Sequence, residues 1–388
     1  MKYQRNIYFL LIIILLSVVL VNSSGDAKIT GSCSNCHTMH VSQNGSSGGL
    51  AYGGSSLPQP ALVRGTCLGC HGQNTSSKIV TIGGCDFPQV LHTDSSGDLA
   101  GGNFAYITGA KSRVTADKNN AGHNVIDLGA AYNEAVLNGP PGGMAYAGHF
   151  GHDIMVTKSN LTCAGENGCH GTNRMLTLGS GLPAVKGAHH KNEDGICDAN
   201  PATAEVYNSY RFLCGVKGFE NTGTYKWQNY NDSNHNEYFG TTSPLSNPGG
   251  CVDCHGGTCS TYSSNGSISA FCGTCHGNFH TLGGSEYGIG GDINSPFTRH
   301  PTDVSLPASG EYLSYTAYST QAPVARTSVQ SSMRTDVVPG TDIVMCLSCH
   351  GAHATPYADM LKWDYSTMVA GGGGSGGCFT CHTQKKTP

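Results

Sequence analysis

Regular alternation of hydrophobic and polar positions is confined to a few short stretches of this chain. Ile7 to Val21 is a run of fifteen residues, apolar except for Ser17, preceded by Lys2 and Arg5 and followed by Asn22-Ser23-Ser24-Gly25. Basic, apolar and small residues in that order predict a secretory signal peptide over residues 1–24; the run is shorter than the about 20 residues of a membrane span. Lys78 to Ile82 and the run EYLSYTAYS from Glu311 to Ser319 read as short strands, and Ala131 to Leu137 as a short helix. Between them lie the turn-formers GGSSLPQP, NGPPGGMAYAG, SNPGG and the GGGGSGG of Gly371 to Gly377, which is either a flexible connector or a close backbone approach to a bulky group. Residues 25–388 are expected to form a single domain, largely coil with few short helices and strands.

Composition sharpens that expectation. Apolar residues make up 38% of the 388 residues, charged residues 12%, and there are 55 glycines. A soluble domain has about 45–50% apolar and about 25% charged residues, so hydrocarbon side chains alone supply a poor core and another source of buried apolar mass is required. A net charge of -4 without long charge runs argues against nucleic acid as a partner.

The 18 cysteines identify the missing mass. Six pairs stand in CxxCH: Cys33/Cys36/His37, Cys67/Cys70/His71, Cys251/Cys254/His255, Cys272/Cys275/His276, Cys346/Cys349/His350 and Cys378/Cys381/His382. Two thiols at this spacing add to the vinyl groups of one haem, and the next imidazole reaches the iron as proximal ligand. A seventh, irregular site is Cys163-Ala-Gly-Glu-Asn-Gly-Cys169-His170, whose glycine-rich loop of five residues replaces the usual two. Its CHG ending repeats that of His71, His255, His276 and His350, which favours haem over a disulfide at Cys163. The count of haem c is therefore about seven, or six without this site. A zinc ribbon at Cys251/Cys254 and Cys272/Cys275 leaves the histidine after every pair unexplained. Cys85, Cys197, Cys214 and Cys259 remain, and two disulfides in an oxidising compartment would use them; Cys197–Cys214 with Cys85–Cys259 is the preferred pairing of three.

Seven proximal histidines leave eleven others among the 18: His40, His92, His123, His149, His152, His189, His190, His235, His280, His300 and His353. This surplus makes two-histidine ligation the default for every iron. His40, His123, His152, His189, His280, His300 and His353 are the candidates for the second axial position. His40, His280 and His353 follow a proximal histidine by three or four residues, which places both imidazoles on one face of a helical turn, so each is expected to bind a different haem. Proximal histidines 34, 99, 85, 21, 74 and 32 residues apart exclude a solenoid of fixed period. Haems closed by two histidines have no open position for substrate and suit one-electron transfer.

CSNCHTMH, GHNVI, FCGTCHGNFH followed by TRHP, and CLSCHGAHATPYADMLKWDY ending in CFTCHTQKK resemble the extracellular multihaem c-type cytochromes of metal-reducing bacteria, the outer-surface S and E type, which polymerise into conductive filaments. The resemblance covers roughly residues 31–40 and 270–388 and is loose between them. It implies a coil fold wrapped around a haem chain, electron transfer to extracellular acceptors such as metal oxides, redox partner cytochromes, and a secreted or outer-surface location reached through the periplasm. It also implies that His40 ligates a haem of the neighbouring subunit in a homopolymer. The Cys163–Cys169 spacing and the site at Cys251 depart from the family pattern. Two other readings remain: a monomeric or porin-associated carrier, and a multihaem reductase. The latter needs a five-coordinate haem, often marked by CxxCK, and this chain has no CxxCK motif.

Overall fold

Coil and single turns carry most of the chain in the computed structural model, which describes residues 31–39, 50–54, 57–73, 75–82, 85–133, 136–142, 156–165, 167–170, 185, 189, 213, 215–218, 224–242, 267–273, 275–276, 279, 300–328 and 332–387. Among the described residues, eight short strands form four separate two-stranded sheets. β1 (Ile79–Ile82) pairs antiparallel with β2 (Cys85–Pro88), and β3 (Thr162–Ala164) pairs parallel with β4 (Gly168–His170). β5 (Val216–Lys217) pairs with β6 (Glu237–Tyr238), and β7 (Val304–Ser305) with β8 (Ile343–Val344), both antiparallel. Helical structure among the described residues includes α1 (Cys67–His71), α2 (Ala105–Thr108), α3 (Ile268–Gly273) and scattered 3-10 turns. No helix among the described residues is long and apolar enough to cross a membrane. This is the coil-dominated architecture expected of a multihaem cytochrome.

Two local expectations are corrected. Glu311 to Ser319 is not a strand: Gly310–Ser314 is a 3-10 helix, followed by an isolated bridge from Ala317 to Asp336. Its tyrosines, Tyr312, Tyr315 and Tyr318, recur every three residues, which matches a tight turn better than a pleat of period two, and Tyr315 and Tyr318 are buried. Ala131 to Leu137 is not a helix either. A single 3-10 turn, Ala130–Tyr132, ends at an extended Asn133, and Val136 and Leu137 are exposed. So short a segment does not hold helical structure without a face to bury. The strand expected from Lys78 is β1, beginning at Ile79.

Apolar packing is divided into small clusters, each touching a cysteine motif. Leu68, Leu91, Phe104, Tyr106, Ile107, Val125, Leu128 and Ala354 form one, with Cys163 packed on it. Val216, Tyr238, Ile268, Ala325, Ile343 and Met345 form a second beside Phe271 and Leu347, and Leu306, Tyr315, Tyr318, Val324, Val337 and Val344 a third, against which Cys381 lies.

Buried polar groups tie these clusters together. Glu237 accepts from Arg326 Nη1 at 2.5 Å and from the Arg334 amide at 2.7 Å, while His235 Nε2 lies 3.1 Å from its Oε1. Asp98 accepts from Lys111 Nζ at 2.7 Å, Asn103 Nδ2 at 2.9 Å and Tyr106 Oη at 2.7 Å. Burial alone would raise the Asp98 carboxyl, but those donors outweigh it and hold it below the usual carboxylate range. Beside it His92 is fully buried, and burial pulls it from 6.5 down to about 4. Between these values the unfolded chain takes up a proton at this residue that the folded chain does not. The His92 contribution is therefore complete above about pH 6.5 and is lost as pH falls toward about 4. Thermal unfolding of His92→Gln is expected to show a shallower loss of stability across that window; a slope equal to that of the unsubstituted protein would contradict this.

Candidate haem-binding site

Among the described residues, histidine rings meet in four pairs, each joining one CH motif to one spare histidine. His71 faces His189 with ring centres 6.3 Å apart, and His123 faces His276 at 6.1 Å. His170 faces His353 at 6.0 Å, and His300 faces His382 at 6.2 Å. A metal–imidazole bond of about 2 Å and a ring radius of roughly 1.2 Å put two imidazoles on opposite sides of one metal ion about 6.4 Å apart. Contact distance alone is not diagnostic, because His71 also lies 6.2 Å from Phe87. The combination carries the weight: none of the four joins two CH histidines or two spare ones.

Tautomers agree with that geometry. Nδ1 of His37 lies 2.8 Å from the Ala61 carbonyl, His71 2.9 Å from Pro88, His276 2.7 Å from Pro141 and His350 2.7 Å from Asp359. Opposing residues follow suit, with His123 Nδ1 2.7 Å from the Ala352 carbonyl and His300 Nδ1 3.0 Å from that of Pro301. A carbonyl oxygen has no hydrogen to give, so Nδ1 carries the proton and Nε2 keeps its lone pair for a metal. His382 Nδ1 reaches the Glu311 carboxylate at 3.3 Å instead.

His92 and His235 are set apart by the same test. The Asp94 amide donates to His92 Nδ1 at 3.2 Å, which puts the proton on Nε2. His235 has Nε2 against Glu237 and its ring stacked on Tyr318 with centres 3.7 Å apart. Both belong to the buried polar networks.

His353 is half-buried between Gly101 and Phe104. A Cβ on Gly101 would come within 2.8 Å of its ring, which therefore requires glycine there, and Phe104 stacks on it at 4.9 Å. Burial first, then the nearby His170 and His123, pull its pKa down to about 3. It faces His170 and not His350, three residues before it in sequence.

The long loop of the irregular motif is closed by its own backbone. β3 and β4 pair Thr162 with Gly168 and Ala164 with His170 in parallel, so the chain makes one full loop between Cys163 and Cys169 and returns in the same direction. A side chain on Gly168 would come within 2.5 Å of the Ala164 backbone. The Cys163 amide donates to Asp127, and the Cys163 thiol shares a hydrogen bond with Cys67. Cys67, Asp127 and Cys163 place their donor atoms within 4.8 Å of one another, but three donors fall short of a structural zinc site and both thiols belong to haem-type motifs.

The motif at Cys272, Cys275 and His276 differs in shape from the one at Cys67. All five residues of CLGCH lie within α1, whereas α3 ends at Gly273 and leaves Cys275 on a turn beyond it. The break is not a loss of the motif. The Cys275 amide donates to the Cys272 carbonyl at 3.1 Å and the His276 amide to the same carbonyl at 3.0 Å, so one tight turn still gathers both thiols and the imidazole.

Further thiols approach one another from consecutive motifs. Burial pushes Cys70 up to about 11, with Cys36 adding to it. Cys272 is raised by a hydrogen bond with Cys346, then by burial, with Cys169 and Cys275 also near. Burial likewise pushes Cys349 up to about 11, with Cys378 of the next motif nearby, and Cys381 up to about 12, with Cys349 adding to it. The described motifs are thus neighbours in sequence order.

Other expected residues fall elsewhere. His40, His149, His152, His190, Cys197, Cys214, Cys251, Cys254, His255, Cys259 and His280 lie outside the described residues. Within GGGGSGG, the Gly371 and Gly373 amides donate to the Lys385 and Lys386 carbonyls, and Gly377 leaves no room for a Cβ beside Met368 and Trp363. Gly371, Gly373 and Gly377 thus pack closely on the chain's own carboxy-terminal segment. Sequence reading missed the carbonyls of Ala61, Pro88, Pro141, Ala352 and Asp359, for which main-chain chemistry leaves no residue signature.

Repeated CxxCH motifs and a coil fold in which imidazoles converge from distant segments define a multihaem c-type cytochrome. The family model of the doubled CXXCH motif matches residues 341–387. The chain is 25% identical over 396 residues to C-type cytochrome OmcS of Geobacter sulfurreducens (strain ATCC 51573 / DSM 12127 / PCA), a match covering 88% of this chain and 82% of that one. By this comparison the chain is similar to OmcS over most of both lengths. Among solved structures it is similar to the outer membrane cytochrome S filament from Geobacter sulfurreducens, with TM-score 0.46, 18% identity, and 88% and 85% of the two chains covered. It is also similar to the OmcS nanowires from the same organism, with TM-score 0.45, 19% identity, and 94% and 92% covered.

Proposed function

We propose that this protein is a secreted electron carrier in which about seven haems, each capped by two histidines, form one continuous chain, and that copies polymerise into an extracellular filament. The observation that carries the electron-transfer reading is the set of four histidine pairs 6.0–6.3 Å apart, each made of one CH histidine and one distant one. Haem iron supplies one-electron chemistry when bound. The paired cysteines would hold the group covalently, and the axial pairs His71/His189, His276/His123, His170/His353 and His382/His300 would close both faces to substrate. Carbonyl acceptors at Nδ1 of His71, His276, His123 and His300 fix those rings and increase their electron donation, which favours a low potential. This supports a carrier over an enzyme.

Filament formation and surface location draw on the similarity to OmcS, a protein known from its own structures as a filament. In this reading residues 1–24 direct export, residues 25–388 form the mature domain, and His40 ligates a haem of the next subunit. The acceptors would be redox partner cytochromes and external metal oxides.

Pyridine haemochrome absorbance with intact mass is expected to give seven haems per secreted chain, and six would remove Cys163/Cys169. His40→Ala is expected to keep that haem number and to abolish filaments in negative-stain images. Filaments that persist in the variant, or an unsubstituted protein that is monomeric throughout, would overturn the polymer reading and leave a monomeric carrier.

A further inference from the structure

The same backbone unit occurs near both ends of the chain. Cys33–Asn35 and Cys346–Ser348 each make a 3-10 turn, closed by Cys36 at φ -113°, ψ -34° and by Cys349 at φ -114°, ψ -34°. His37 then bridges antiparallel to Val63, and His350 to Leu361. Matching hydrogen bonds surround each bridge. Thr38 N donates to Leu62 O and Gly351 N to Met360 O, while Arg64 N donates to Cys36 O and Lys362 N to Cys349 O. The rings are held alike, His37 Nδ1 on the Ala61 carbonyl and His350 Nδ1 on that of Asp359.

Each crossing segment carries two consecutive non-glycine residues in the left-handed region. These are Ala61 (φ 59°) with Leu62 (φ 56°), and Asp359 (φ 57°) with Met360 (φ 59°). Such residues are disfavoured and persist where the surroundings impose them. Here the geometry has a use. Carbonyls of an extended segment alternate in direction, whereas two helical residues in succession point theirs the same way. One carbonyl thereby meets the imidazole Nδ1 and the next meets the amide after that histidine.

Loop lengths hide this equivalence from the sequence. The crossing residue follows its histidine by 26 positions at Val63 but by 11 at Leu361, and the second motif follows it by 4 positions at Cys67 but by 17 at Cys378. The total spacing between CH histidines is nearly equal, 34 and 32 residues. The doubled CXXCH model matches 341–387, the unit with the short first loop.

We propose that residues 31–73 form a second doubled-CXXCH unit equivalent to 341–387, and that Ala61–Leu62 and Asp359–Met360 are positioning residues that set the proton and orientation of the His37 and His350 imidazoles. The proposal rests on the haem reading above. A strong Nδ1–H donation to a carbonyl makes the imidazole a better donor to the metal, so the two straps give the first haem of each pair the same bias toward a low potential.

The test uses the purified holoprotein with glycine, alanine and valine at Leu62 and, separately, at Met360. Glycine accepts the left-handed conformation and a β-branched residue opposes it. Haem number is expected to equal that of the unsubstituted protein in all six variants. One component of the redox titration should move to higher potential in the order glycine, alanine, valine, at both ends alike, with a matching change in the low-spin ferric resonance. Should the valine proteins not accumulate, the glycine–alanine difference gives the same reading. Identical titrations for glycine and alanine, or a response at one end only, would overturn the proposal. An unsubstituted protein without covalent haem would instead overturn the haem reading.

Discussion

His353→Ala is expected to leave every haem covalently attached and to convert one of them from low-spin to high-spin ferric iron. His353 faces His170 at 6.0 Å from a position between Gly101 and Phe104. Removing its imidazole opens one axial position and leaves the cysteines untouched. Electron paramagnetic resonance should show one high-spin component, and the potential of that component should rise with loss of an imidazole donor. His92→Ala is the control, since His92 is fully buried and has its Nδ1 occupied by the Asp94 amide. It should lower stability by about 2 kcal/mol, through a lost buried hydrogen bond and a cavity, without any high-spin signal. An unchanged spectrum for His353→Ala, or a high-spin signal for His92→Ala, would reverse the roles assigned to the two.

The double substitution Cys163→Ala with Cys169→Ala is expected to remove one haem, about one-seventh of the haemochrome absorbance, and to interrupt the chain near its centre. Cys163 lies against Cys67 of the preceding motif, and Cys169 lies near Cys272 of the next described one. A vacancy there separates the amino-terminal attachment sites from the carboxy-terminal ones. Reduction at one end should then fail to equilibrate with the other on the timescale of the unsubstituted protein, as read by stopped-flow absorbance. Unchanged absorbance would show that the irregular motif holds no haem.

The chemistry of the chain was legible where it is written in local spacing. CxxCH requires only adjacent residues, and the shortage of apolar side chains pointed correctly to a coil fold. Pairing between histidines was not legible, because His123 and His276 are 153 residues apart and no local rule links them. Reading could propose that His353 serves a haem other than its neighbour's, but not that His170 is the ring it faces. The strand read from Glu311–Ser319 and the helix read from Ala131–Leu137 failed because apolar residues in this chain pack around cysteine motifs instead of along a sheet or helix face. Irregular backbone set the remaining limit. The carbonyls of Ala61 and Asp359 act through main-chain direction, which Leu62 and Met360 fix at positive φ against their own preference.

A cryo-electron microscopy map of the native secreted protein is the most direct test of the central claim. The account predicts one iron between His71 and His189, one between His123 and His276, one between His170 and His353 and one between His300 and His382, within an unbroken row of haems. A map in which any of these irons takes its second ligand from another residue, or in which the row is broken between Cys67 and Cys163, would contradict it.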